Sequence, residues 1–171
     1  LDDPFRTRFD YTDFLQLLVA YSTGSRKSLF VGLAAGSVQK RMWRDFPELD
    51  LETVELDPVV RDVAYRYFQL PRNPRLQVAV EDGRRFLQRD DELWDAIVID
   101  AYFSDSLPFH LTTIEFLELA RSRLRPGGVI ARNLIGSISG EGSKLFRTVD
   151  KTYRALVRGI PAAAVMAEMY G

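Results

Sequence analysis

Two kinds of hydrophobic pattern alternate along the chain, and together they predict strands that are each followed by a helix. Continuous or alternating apolar runs are typical of strands, and apolar residues at every third or fourth position are typical of helices that bury one face. Six apolar runs of the first kind begin at Ser28, Leu51, Leu76, Trp94, Val129 and Ala162. Because crossovers between parallel strands are right-handed, this order predicts an α/β fold with a doubly wound, Rossmann-like, mostly parallel sheet.

Turn and capping residues mark the predicted boundaries. An amphipathic helix is predicted over 9–21, before the first strand, and Asp57 followed by Pro58 predicts a helix that begins with proline. The sequence Arg-Pro-Gly-Gly at 125–128 predicts a turn that leads into the fifth strand. A loop rich in glycine and serine is predicted before the last helix.

Composition excludes several classes of partner. The chain has 171 residues, 46% of them apolar, which is sufficient for a single domain with a hydrophobic core over residues 1–171. Lysine and arginine total 23 against 24 acidic residues, so we expect no nucleic-acid partner. There is no cysteine and one histidine, His110, so we expect no metal site, and we expect His110 to be structural or to make a loop contact. No apolar run reaches the roughly twenty residues that span a bilayer, so we expect no membrane association and a cytoplasmic location.

The first predicted strand ends in small residues, and the second ends in an acid. Gly32, Ala34 and Gly36 lie in the turn between the first strand and the next helix, and Glu55 lies at the end of the second strand. Small residues let backbone N–H groups approach a ligand, and an acid on the adjacent strand can accept both hydroxyls of a ribose. This pattern predicts a nucleoside-bearing ligand.

The same turn lacks two common nucleotide motifs. The dinucleotide fingerprint requires glycine where the chain has Ala34 and Ser37, and the phosphate-binding loop requires a Lys-Ser or Lys-Thr pair that is missing here. NAD and ATP are therefore disfavoured. A looser turn, of the kind found in S-adenosylmethionine (SAM) enzymes, fits the sequence.

Two further predicted strands also end in acids. Asp82, followed by Gly83, ends the third strand, and Asp100 ends the fourth. The carboxyl ends of parallel strands meet at one edge of a sheet, so we expect these groups to surround one pocket together with Glu55. In a SAM pocket, Asp82 would accept a hydrogen bond from the adenine amino group, and Asp100 would lie near the sulfonium.

Five segments of the chain resemble one family in order and in spacing. They are SLFVGLAAGS, TVELDPVV, VEDGRRFL, IVIDAYFSDSLPFHLTTIEF and LRPGGVIARN. They resemble the class I SAM-dependent methyltransferase superfamily and, within it, the spermidine synthase (polyamine aminopropyltransferase) family. The resemblance implies decarboxylated SAM as the donor and a small-molecule amine, a polyamine, as the acceptor.

The resemblance also implies roles for individual residues. Asp100 matches the family's catalytic aspartate, and Glu55 matches its ribose-binding acid. Asp82 and Gly83 match its adenine-binding pair, and Tyr11 matches a tyrosine that helps to hold the amine. These residues, with Gly32, Ala34 and Gly36 of the turn, form the predicted site.

The chain departs from the family pattern in the turn and on the amine side. The family turn is Gly-Gly-Gly-Asp-Gly, and its acid is replaced here by Ala35. The second acid of the family's Asp-x-x-Asp loop would fall near Phe103, while Asp105 lies two residues further on. Tyr102 and Asp105 are therefore the further candidates for contacts with the amine.

Three functional interpretations stay open at this point. The first is an aminopropyltransferase, the second is a small-molecule methyltransferase that uses ordinary SAM, and the third is a catalytically silent nucleoside-binding homologue. Decarboxylated SAM lacks a carboxylate, and the turn at 32–37 contains no cation, although Lys40 and Arg41 follow it.

The resemblance also sets expectations for what residues 1–171 leave out. We expect the family's small N-terminal β-domain to be absent from this chain, and one strand to be missing from the end of its sheet. A homodimer is a further possibility that the sequence leaves open.

Overall fold

Strands and helices alternate through the described part of the chain. The computed structural model describes residues 3, 5, 10–18, 24–89, 91–102, 107–135, 137, 139–156 and 163–168. The strands are β1 (Lys27–Val31), β2 (Asp50–Glu55), β3 (Leu76–Val80), β4 (Trp94–Ile99), β5 (Leu124–Ile135) and β6 (Ala163–Glu168). The helices are α1 (Asp10–Gln16), α2 (Ser37–Asp45), α3 (Pro58–Tyr67), α4 (Gly83–Arg89), α5 (Ile114–Ser122) and α6 (Lys144–Leu156).

All six described strands belong to one sheet. Their order is β3-β2-β1-β4-β5-β6, and every pairing of neighbours is parallel. The chain moves outward from β1 in one direction and from β4 in the other, which confirms the doubly wound parallel sheet. In the described residues β6 pairs directly with β5, and no antiparallel strand belongs to the sheet.

The sheet is covered by hydrophobic side chains on both faces. Along β4, Ile97 and Ile99 belong to one buried cluster, whereas Ala96 and Val98 belong to another. The first cluster includes residues from α4, α5 and α6, and the second includes residues from α1, α2 and α3. A strand buried on both faces explains the continuous apolar run in the sequence of β4. No helix within the described ranges is long and apolar enough to cross a membrane.

Side-chain caps fix where two helices begin. The Asp57 carboxylate accepts a hydrogen bond from the Val59 N–H at 2.7 Å, and Pro58 is the first residue of α3, as the sequence predicted. At α5, the Thr113 hydroxyl accepts from the Phe116 N–H at 3.3 Å. These caps fix where the chain enters a helix after it leaves the carboxyl ends of β2 and β4.

The fifth strand begins earlier than the sequence predicted. The predicted turn at 125–128 lies inside β5, because Leu124 already pairs with Trp94. The next partners are Ala96 and Val129, so two steps along β4 face five along β5, and the extra residues form a local irregularity in the ladder. The predicted start of the strand at Val129 is therefore wrong, because the ladder already includes Leu124 on the other side of this segment. The first helix is described as α1, and residues 9 and 19–21 of its predicted range lie outside the described residues.

Candidate active site at the carboxyl edge of the sheet

A cavity of about 1200 Å³ opens at the carboxyl ends of the central strands. In an open α/β sheet this edge, near the point where the strand order reverses, is where ligands bind. Residues that the sequence analysis singled out and that line the cavity are Gly32, Ala34, Glu55, Asp82, Gly83, Asp100 and Tyr102. The structure therefore brings these seven together, while their individual roles stay predictions.

Gly32, just after β1, packs closely against the backbone of Asp100, just after β4. Its φ is +106°, and a Cβ atom placed on it would lie 2.3 Å from the backbone oxygen of Asp100. Its N–H donates to the Val54 carbonyl at 2.9 Å, so this residue is tied to the neighbouring strand β2 as well. A side chain at this position would push the Asp100 backbone out of place.

The remaining turn residues differ in their contact with the cavity. Ala34 has a positive φ of 49° and lies on the wall. Gly36, with φ +68°, does not line the cavity; a Cβ on it would meet the Leu70 side chain at 2.6 Å. Gly36 therefore allows the turn to pack beneath the site, and direct ligand contact by it stays a prediction.

We predict that Gly32→Ala lowers the free energy of unfolding by more than about 2 kcal/mol, because it combines a disfavoured φ with a backbone clash. Gly127→Ala is the matched control, since Gly127 has φ +82° and nothing within 4 Å of its Cβ position. The control should lose only about 1 kcal/mol. Urea unfolding of both variants measures the difference, and equal losses would show that the approach to Asp100 costs nothing.

The Glu55 carboxylate is held by backbone groups on both sides. Its Oε2 accepts from the Leu33 N–H at 3.0 Å, and its Oε1 accepts from the Asp57 N–H at 2.9 Å. Each carboxylate oxygen has a second lone pair, so both remain able to accept from a ribose hydroxyl. Glu55 therefore links the turn after β1 to the predicted ribose site.

Asp82 lies where β3 leads into α4. Its Oδ1 accepts from the Arg85 N–H at 3.0 Å, and its Oδ2 lies 2.8 Å from His110 Nε2. Burial would raise the pKa of the Asp82 carboxyl, but the hydrogen bonds from Arg85 and His110 outweigh it and lower the pKa. The adjacent Gly83 is required for packing, because a Cβ there would lie 2.4 Å from Val31 Cγ1.

Asp100 is a half-buried acid in the cavity wall, just after the end of β4. Burial raises the pKa of its carboxyl above the ordinary aspartate value, and a hydrogen bond from Asn133 opposes part of this change. The bond runs from Asn133 Nδ2 to Asp100 Oδ1 over 3.0 Å. A carboxylate with a raised pKa is a stronger base than an exposed one, which suits proton transfer.

The Tyr102 hydroxyl forms hydrogen bonds with the backbone of β5. It donates to the Asn133 carbonyl at 2.9 Å and accepts from the Ile135 N–H at 2.8 Å. The tyrosine thus anchors the chain after Asp100, and a contact between its ring and a cationic substrate stays a prediction. Tyr11 lies in α1, but its side chain lies outside the described part of the structure, as does the whole of Asp105.

The charges around the cavity are almost all negative. The carboxylates on its wall are those of Glu55, Glu81, Asp82 and Asp100, and no lysine or arginine of the described residues joins them. Lys40 donates instead to the Phe68 carbonyl at 2.6 Å, and Arg41 pairs with Asp45. This cavity favours a cationic ligand and disfavours a carboxylate.

Two residues of the site were not identified from the sequence. Asn133 lines the cavity, and its Oδ1 is buried without a hydrogen-bond partner in the described chain. His110, expected to be structural or to make a loop contact, contacts Asp82 on the cavity wall. A polar residue near the end of the apolar strand β5 was the available signal for Asn133.

No group of three or more metal-ligating side chains occurs within the described ranges.

The chain matches known proteins over most of its length. Residues 21–170 match the family model described as Spermine/spermidine synthase domain. A polyamine aminopropyltransferase of Vibrio vulnificus is 30% identical over 154 residues, which cover 88% of this chain and 50% of that protein. The chain therefore spans about half the length of this curated relative.

Two solved structures share the fold at low sequence identity. Human methyltransferase-like protein 13, in complex with SAH, has a TM-score of 0.75 at 21% identity, covering 86% of this chain and 73% of that chain. Spermidine synthase from Thermotoga maritima has a TM-score of 0.68 at 18% identity, covering 89% and 51%. These two similarities show the fold alone. The family follows from the match of the family model to residues 21–170. The chain belongs to the spermine/spermidine synthase family.

Proposed function

We propose that this chain transfers an aminopropyl group from decarboxylated SAM to an amine nitrogen of a polyamine. The observation that carries the proposal is the half-buried Asp100 carboxylate in a cavity whose other acidic wall groups are Glu55, Glu81 and Asp82. Decarboxylated SAM carries a sulfonium and an ammonium group and has no carboxylate. Its charge therefore complements this wall.

The nucleoside half of the donor fits the acids at the ends of β2 and β3. Glu55 would accept from the ribose hydroxyls with its remaining lone pairs, and Asp82 would accept from the adenine amino group. Gly32, Leu33 and Ala34 line the cavity, and the aliphatic chain that carries the sulfonium would lie beside them. SAM-related ligands in general fit this arrangement, and the decarboxylated form is the finer part of the proposal.

In the reaction, the amine nitrogen attacks the propyl carbon beside the sulfonium. A carbon–nitrogen bond forms, the carbon–sulfur bond breaks, and its electron pair returns to sulfur, which leaves as the neutral thioether 5′-methylthioadenosine. Asp100 takes the proton released by the nitrogen, and Asn133 Nδ2 holds the carboxylate at 3.0 Å. Because a sulfonium leaves readily, alignment of the two reactants supplies much of the acceleration.

The residues proposed to bind the acceptor amine are assigned that role from the sequence alone. Tyr11, Tyr102 and Asp105 are proposed to contact the acceptor. Recognition of a doubly charged diamine requires a second carboxylate, because an unpaired buried ammonium would cost several kcal/mol. Asp105 would supply it. We also propose that residues 1–171 form a single domain and that the protein is a homodimer.

A second candidate is methyl transfer from ordinary SAM to a small-molecule amine. The observation in its favour is the similarity of fold to human methyltransferase-like protein 13, described in complex with SAH. The same Asp100 would accept the proton of the attacked amine. A catalytically silent nucleoside-binding protein is the interpretation that applies if neither transfer occurs.

Donor preference separates these candidates. We predict that decarboxylated SAM binds at least about tenfold more tightly than SAM, because the SAM carboxylate would face the acids of the cavity, whose described wall has no lysine or arginine to pair it. Titration calorimetry with both donors measures the ratio. Equal or tighter binding of SAM would contradict aminopropyl transfer and favour methyl transfer.

A further inference from the structure

In the turn that precedes α5, the His110 side chain contacts Asp82 of the predicted adenine site. His110 belongs to the 3₁₀ turn Phe109–Leu111, which forms part of the cavity wall. Its Nε2 lies 2.8 Å from Asp82 Oδ2, although 28 residues separate the two in sequence. This contact is the starting point of the inference.

The chemistry of the pair determines its direction. The pKa of Asp82 is lowered, so the carboxyl is ionised near neutral pH and can only accept hydrogen bonds. His110 Nε2 must therefore carry the proton and donate it to Oδ2. Arg85 N–H binds the other oxygen, Oδ1, at 3.0 Å. With at least one donor on each oxygen, the carboxylate is held in a fixed orientation, and lone pairs remain for a ligand.

The backbone around His110 is held independently of this contact. Arg84 Nη1 donates to the His110 carbonyl at 3.2 Å, and the buried Arg132 donates from Nη1 to the Leu111 carbonyl at 2.6 Å. Removal of the imidazole should therefore leave the turn in place. Its loss should act mainly on the Asp82 carboxylate.

We propose that His110 is a positioning residue that orients Asp82 to accept a hydrogen bond from the 6-amino group of adenine, and so sets the preference for a 6-aminopurine. The inference rests on the proposed function, since it takes a thioether nucleoside as the ligand. An oriented carboxylate attracts an amino group and repels the oxygen of a 6-oxopurine. A carboxylate free to rotate would discriminate less.

The test compares nucleosides that differ only at position 6 of the purine. Calorimetry gives the Kd of 5′-methylthioadenosine, of its 6-oxo counterpart and of its 6-unsubstituted counterpart for the full chain. In His110→Ala we expect the adenine compound to bind about tenfold more weakly, and the 6-unsubstituted compound to change by less than about twofold. His110→Gln, which keeps an N–H donor, should recover most of the loss.

A control variant from the same turn isolates the hydrogen bond from the shape of the wall. Phe109→Ala removes apolar surface from the cavity wall, so it should weaken the adenine and the 6-unsubstituted compounds equally. His110→Ala and Asp82→Ala should also give less than the sum of their effects when combined, because they act on one contact.

The outcomes separate this inference from the function on which it rests. If the wild type binds the nucleosides and His110→Ala leaves all three affinities unchanged, or lowers them equally, His110 does not position Asp82. Failure of His110→Gln to recover affinity would also overturn the inference. If the wild type binds none of the three, the proposed function fails, and the inference fails with it.

Discussion

Replacement of Asp100 by asparagine is expected to lower turnover by about a hundredfold or more, the loss typical of a missing general base. Asparagine keeps the shape and can still accept from Asn133 Nδ2, but it cannot take a proton from the attacking amine. Nucleoside binding should persist, since Glu55 and Asp82 are unchanged. Steady-state kinetics with decarboxylated SAM and a polyamine, together with calorimetry, give both quantities.

The raised pKa of Asp100 adds two measurable consequences. A protonated carboxyl cannot act as a base, so wild-type turnover should fall as the pH drops through a value above that of an ordinary aspartate. Because burial disfavours the charged form, ionisation of Asp100 costs stability as the pH rises above the pKa of the unfolded chain. The Asp100→Asn variant should therefore melt at the same temperature as the wild type or higher.

Asp95, near the start of β4, serves as a control because the pKa of its carboxyl is shifted in the opposite direction from that of Asp100. Its carboxylate accepts from the Arg26 and Lys27 N–H groups at 2.9 Å and from Arg125 at 3.0 Å, and it is not on the cavity wall. Burial opposes ionisation there, but these bonds outweigh it and lower the pKa. Asp95→Asn should lose stability and keep turnover. If Asp100→Asn retained wild-type turnover, the assigned mechanism would be wrong.

Glu55→Gln is expected to weaken nucleoside binding by roughly 1.5–3 kcal/mol, the usual contribution of hydrogen bonds to a charged group. The amide can accept at only one of its two terminal atoms, so it cannot serve Leu33 N–H, Asp57 N–H and both ribose hydroxyls at once. Glutamine is preferable to alanine, since alanine would leave both backbone donors without a partner. Calorimetry with 5′-methylthioadenosine measures the change.

Glu81→Gln is the matched control for this prediction. Glu81 is also a glutamate on the cavity wall, but it follows the outermost strand, β3, and its carboxylate pairs with Arg89 at 2.8 Å. We expect this variant to bind the nucleoside with nearly unchanged affinity. Equal losses in the two variants would mean that the general negative charge of the cavity, rather than the ribose contact, is responsible.

The sequence was sufficient to predict where the acids lie but not how each is held. Glu55, Asp82 and Asp100 follow apolar strands, and the carboxyl ends of parallel strands meet at one edge, so their convergence follows from pattern alone. Contacts between distant segments carry no such signal. The approach of His110 to Asp82 depends on how the turn before α5 packs against α4, which no local pattern specifies.

The amine side was harder to predict for a related reason. An aromatic residue after a strand can face a ligand or brace the backbone, and Tyr102 binds two backbone groups of β5. The start of β5 was missed because Gly127 and its neighbours carry a turn signal that the ladder accommodates through an irregularity. Tertiary pairing overrode local propensity at that position.

A single-turnover experiment tests the central claim most directly. The chain, in excess over decarboxylated SAM, is mixed with a polyamine, and the products are quantified by mass spectrometry, with SAM as donor in a parallel reaction. Aminopropyl transfer predicts equal amounts of aminopropylated amine and 5′-methylthioadenosine, with little product from SAM. A methylated amine formed from SAM at an equal or greater rate, or no product from either donor, would contradict it.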